Sequence, residues 1–96
     1  MPGRVHGSSY ITASGEAGIV GGPKMVYSAH IISGATAGVL SLKNNGTGGT
    51  LYCSGTGIVS GGQTFNYGEG LFFPKGCYVT IDVNTTSVLL SYEEYA

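Results

Sequence analysis

Charge is what this sequence lacks most. Four Lys and Arg and five Asp and Glu leave a net charge of −1 over 96 residues. That excludes a basic field able to hold nucleic acid by its phosphates, and no acidic run takes its place. Cysteine is scarce too. Cys53 and Cys77 are too few for a small secreted disulfide scaffold. Two buried free thiols or one disulfide between facing strands both fit them, whereas a metal site from two isolated cysteines is disfavoured. No charged segment leading into an apolar stretch opens the chain, and no apolar run approaches the ~20 residues of a membrane helix. The expectation is a soluble protein made in a reducing cytoplasm, with neither membrane nor nucleic acid as partner.

Groups for catalysis are equally sparse. General acid–base chemistry wants paired carboxylates, or a histidine with a partner, in a pocket. Asp82 is the sole Asp and reads as a solvated strand residue. Glu16 and Glu69 lie in glycine-flanked loops, and the adjacent Glu93 and Glu94 would point to opposite faces of a strand. His6 reads as exposed, and His30, alternating with Val26 and Ile32, as a partly buried, satisfied histidine. No His-x-His or His-x-x-x-His spacing suggests zinc. GIVGGPKM, residues 18–25, has the glycines and lysine of a phosphate loop, but Pro23 replaces the last glycine and Met25 the hydroxyl residue. Proline also removes a backbone N–H that a phosphate cradle would use. No catalytic, metal or cofactor residues are assigned, and no cofactor is expected.

Glycine, in contrast, is abundant at 18 residues, alongside 42% hydrophobic residues, which is too apolar for a disordered chain. No G-x-y period makes it collagen-like. Short β-rich segments separated by turn signals recur along the chain: 24–33, 38–43, 50–54, 63–68, 77–83 and 87–93. In CYVTIDV, Cys77, Val79, Ile81 and Val83 alternate with Tyr78, Thr80 and Asp82, the period of a strand with one face in a core. Asn45-Gly46 supplies the positive φ angles that a tight hairpin requires. No segment keeps a helical period over three turns. The predicted fold is all-β: one β-sandwich or jelly-roll-like domain of about 6–8 short antiparallel strands over residues 24–96, preceded by a Gly-rich arm, residues 1–23. Phe72 and Phe73 are consecutive, so an extended backbone sends one to the core and the other elsewhere. A weakly charged, apolar, glycine-rich surface is a solubility hazard for a free monomer, which favours assembly.

The order of features, MVYSAHIISG, LSLKNNGTGGTLY, GLFFPKGCYVTID and SVLLSYEE, resembles small β-sandwich virion proteins of tailed bacteriophages, in particular head decoration, or cement, proteins. The elements GPK-x-V-Y and G-L-x-F-x-x-G-x-Y-V carry the resemblance, which spans about residues 24–94. It implies a non-enzymatic homotrimer on the capsid surface that binds across major capsid protein subunits and stabilises the head. A receptor- or glycan-binding knob of a phage tail or fibre is the alternative, and a small β-barrel enzyme a distant third. The candidate partner-contact residues are Arg4, Val5 and Tyr10 in the arm, which would clasp a partner, and Tyr27, Phe72, Phe73 and Tyr78, each serving either core or interface.

Overall fold

The computed structural model describes the backbone of residues 4–18 and 20–95, and the side chains of 7–18 and 20–95. Eight strands follow one another: β1 (Arg4–Ile11), β2 (Gly15–Ala17), β3 (Lys24–Ser33), β4 (Val39–Asn44), β5 (Thr50–Thr56), β6 (Gly62–Phe73), β7 (Cys77–Ile81) and β8 (Thr85–Tyr95). They form two four-stranded sheets, ordered β1-β8-β3-β6 and β2-β7-β4-β5. Every pairing is antiparallel. Strand one pairs with eight, two with seven, three with six and four with five. The chain is thus one long antiparallel ribbon, closed at the β4–β5 hairpin and rolled up so that successive parts fall in alternate sheets. That is the strand order of a jelly roll.

Local chemistry sets the corners. Asn45 and Gly46 take φ of 76° and 77°, and Gly49 N–H closes onto the Gly46 carbonyl at 3.1 Å. Between β6 and β7 the chain turns at Pro74-Lys75-Gly76, where Gly76 has a φ of 96°. A side chain is disfavoured at that angle.

The segment expected to be an arm is built into the sandwich. β1 forms the edge of the first sheet against β8, and β2 the edge of the second against β7. Ile11 and Ala17 reach the core. Glycine and serine hid these strands because an edge strand with one face in water needs few apolar side chains.

A second departure lies in β3. Strict alternation puts Val26 and Ile31 on opposite faces, yet both are fully buried. The register against β6 and β8 shifts between Val26 and Ser28, so Tyr27 is an extra residue that re-phases the strand. Lys24 and Val26 before the bulge, and Ala29, Ile31 and Ser33 after it, all face inward. They pack with Leu40 and Leu42 of β4, Phe73 of β6, Cys77 and Val79 of β7, and Val88, Leu90 and Tyr92 of β8. Asp82 lies just past β7 rather than within it, in the turn to β8.

Candidate functional site: an uncharged sheet face

The two sheets turn different surfaces to solvent. Across the outside of the first sheet, Tyr10, Leu89, His30 and Thr64 stand in one register row, and Ser8, Ser91, Ser28 and Asn66 in the next. Apart from His30, neither row contains a carboxylate, lysine, arginine or histidine. His30 Nδ1 is hydrogen-bonded to Thr64 Oγ1 at 2.7 Å, which agrees with the satisfied histidine expected from sequence. Tyr10 is 68% exposed and Leu89 45%. The matching row outside the second sheet runs Glu16, Tyr78, Lys43, Leu51 and so mixes both signs of charge. Interface cores are depleted of charge and enriched in aromatic residues. By that criterion the first sheet presents the better contact surface.

The residues singled out from sequence divide among several places. Tyr10, Tyr27 and Phe72 belong to the first sheet. Tyr27, the bulge residue, donates its hydroxyl to Glu93 Oε1, which keeps that buried carboxylate from facing the surface unpaired. Phe72 is 45% exposed, its ring 5.8 Å from that of Tyr95. Phe73 is fully buried and stacks on Tyr52 with ring centroids 4.9 Å apart, so it is a core residue and not a contact. Tyr78 is on the other sheet, in the charged row. Arg4 and Val5 pair through their backbones with Tyr95 and Glu94, and their expected partner contacts fall outside the described side chains.

Sequence reading missed a buried charge cluster at the start of β3. Lys24 is fully buried. Its Nζ donates to the Gly22 carbonyl at 2.8 Å and lies 3.3 Å from Glu94 Oε2, the carboxylate directly across the β3–β8 pair. Taken alone, GPKMV gives no sign of this: the lysine looks like an exposed strand end until the bulge fixes which face turns inward. Nearby, Glu16 Oε2 is buried with no hydrogen-bond partner among the described residues. Burial raises the Glu16 pKa, and the positive charge of Lys24 opposes the rise.

The cysteines are free. Cys53 and Cys77 lie on β5 and β7, with β4 between them. Two strand spacings put them about 10 Å apart, beyond the reach of a disulfide. Burial pushes the Cys77 thiol up to about 12, and the Glu16 charge adds to the rise. Burial also raises the pKa of Cys53, which shares a side-chain hydrogen bond with Tyr67. Among the described residues, no three His, Cys, Asp or Glu side chains converge as a metal centre requires.

No protein-family model and no curated protein matches the sequence. A solved structure from work describing Bacillus endospore appendages as a novel family of disulfide-linked pili is similar. The likeness covers 99% of this chain and 90% of that one, with a TM-score of 0.60 and 12% sequence identity. At that identity the shared property is the fold.

Proposed function

We propose that this chain is a non-enzymatic structural subunit that assembles with copies of itself into an external structure, through the outer face of the first sheet. The carrying observation is the pair of uncharged rows led by Tyr10 and Leu89. A second copy laid on those two rows desolvates hydroxyl, amide, imidazole and apolar groups, while Glu93, in the following row of the same face, is buried and already takes the Tyr27 hydroxyl. Burying unpaired charge is the costly step in such a contact. The pilus likeness favours a repeating assembly at a surface. Linkage through the first-sheet face would be non-covalent, because both cysteines lie in the second sheet, Cys77 buried and Cys53 half-buried against the core. The absence of a catalytic role is part of the same reading: the chain's one fully buried lysine is sealed from any substrate.

A narrower form of the reading is the phage-head decoration protein that the motifs GPKMVY and GLFFPKGCYV suggest, acting as a trimer on the major capsid protein. Electron microscopy of the concentrated protein separates the two settings. Filaments or sheets favour an appendage, whereas discrete trimers that bind only when capsids are added favour decoration. For either, the Tyr10→Asp, Leu89→Asp double variant should stay folded and sediment as a monomer. Undiminished assembly by that variant would reject the first-sheet face as the contact.

A further inference from the structure

One end of the sandwich differs from the other. The loops β1–β2, β3–β4, β5–β6 and β7–β8 converge on it, and hydrogen bonds tie them together. Ser60 N–H donates to the Gly34 carbonyl at 2.7 Å, Gly57 N–H to Gly38 at 2.8 Å, and Gly34 N–H to Asn84 at 3.0 Å. Ile81 N–H donates to Ser14 Oγ at 3.0 Å, bracing the first loop against β7. Asp82 accepts from Val39 N–H at 3.1 Å and from the Thr85 hydroxyl at 2.8 Å.

This braced end carries Val83, 97% exposed, and Val59, 59% exposed, together with Ile58, Val39 and Ile32. Its acid is Asp82, already engaged in those bonds. Beside the aliphatic group opens a hollow of about 470 Å³, lined by His30, Ile32, the glycines 34, 61 and 62, and small side chains. The opposite end holds the 44–50 hairpin, Lys75 and the paired strand ends at Arg4 and Tyr95. Lys43 and Glu94 also lie towards it.

We infer that the aliphatic end is a second contact surface, and that its partner is the same end of a second copy of this chain. The inference rests on the self-assembly reading and adds an end surface that borders the sheet face at His30. Three observations select this occupant. Val83 and Val59 are exposed on backbone held by inter-loop hydrogen bonds, so their exposure is built in rather than a product of fraying. Knob and hollow lie side by side on one end, so two copies related by a two-fold axis can each fill the other, the self-complementarity of an isologous contact. Head-to-tail stacking would instead press these aliphatic groups onto the end that carries Lys43 and Lys75 and strip water from their ammonium groups.

The molecule measures 46 × 25 × 19 Å, so an end is only 25 by 19 Å across. That is less than the ~800 Å² each partner contributes to a standard interface. The end contact is therefore weak alone and adds to an assembly that the sheet face holds together.

Crosslinking tests the geometry. Cysteines are placed at the two ends, as Val83→Cys and Lys75→Cys, in the full chain carrying Cys53→Ser, whose remaining Cys77 is buried, and treated with a long-arm bis-maleimide at concentrations where the Cys53→Ser parent assembles. The result expected is covalent dimer from Val83→Cys alone, no dimer from Lys75→Cys alone, and no mixed product when the two are combined. Mixed product would mean head-to-tail packing and overturn the inference. So would an absence of Val83→Cys dimer while sedimentation still finds wild-type assembly, and in that case the sheet-face reading survives. If Val83→Cys dimers form although the Tyr10→Asp, Leu89→Asp change leaves assembly untouched, the end contact stands and the sheet-face reading falls. A wild type that stays monomeric at every concentration rejects both.

Discussion

Glu16 ties side-chain chemistry to pH. Its carboxyl holds a proton to higher pH in the folded chain than in the unfolded one, because burial disfavours the anion. Well below the ordinary carboxyl range both states are protonated and Glu16 contributes no pH dependence. As pH rises through the folded value, the folded chain binds more protons than the unfolded one, so stability falls. Glu16→Gln should therefore raise the melting temperature slightly at pH 7, since solvent screening and the Lys24 charge offset much of the effect, with the gain shrinking towards pH 4. An equal gain at both pH values would mean that the carboxyl titrates normally. Asp82 has the opposite sign: Val39 N–H and the Thr85 hydroxyl hold its pKa below the usual value. Its contribution is present near neutrality and is lost as pH falls through that lowered value.

At the scale of elements, the strand β6 decides what its two phenylalanines do. Both belong to its last turn into the corner, and the pleat sends Phe73 inward and Phe72 out. Phe73→Ala should cost about 3–5 kcal/mol in denaturant unfolding, as removal of a buried aromatic does. Phe72→Ala should cost under about 1 kcal/mol, in the range of surface changes. Comparable losses from both would reject the assignment of faces. This split could be read from two letters of sequence, because it depends only on the two-residue period of a strand. So could the β4–β5 hairpin, because Asn-Gly names its own turn. The bulge at Tyr27 could not. Nothing local in MVYSA marks it, since it depends on how β6 and β8 align on either side. With it went the inward turn of Lys24, and so the buried ion pair. β1 and β2 were hidden for another reason: paired to one neighbour each, they draw order from backbone hydrogen bonds that any residue but proline can donate. The uncharged face was half legible. The scarcity of charge was plain in the composition, but its removal from one face required the register.

For the whole molecule, Cys77 serves as an internal reporter. With its thiol pushed up to about 12, at pH 8 it carries on the order of a thousandfold less thiolate than an ordinary cysteine. It is also fully buried between the sheets. Alkylation of Cys77 in the native protein should follow opening of the sandwich, accelerating with denaturant in step with the loss of folded signal. Rapid labelling without denaturant would mean that β7 separates locally. The two candidate contacts operate at this scale as well. A subunit with one uncharged broad face and one aliphatic end has two directions of growth, which is the minimum for an array rather than a closed pair.

The pairing of strand one with strand eight also bears on how the molecule comes into being. Within the sandwich β1 is synthesised first, but the partner that supplies its backbone hydrogen bonds is the sandwich's last strand. Until then the second sheet and the β3–β6 pair can form, but β1 has no neighbour in its own sheet. A chain lacking β8 keeps the second sheet and the β3–β6 pair but has lost the strand that joins β1 to β3, so its first sheet stays open in the middle.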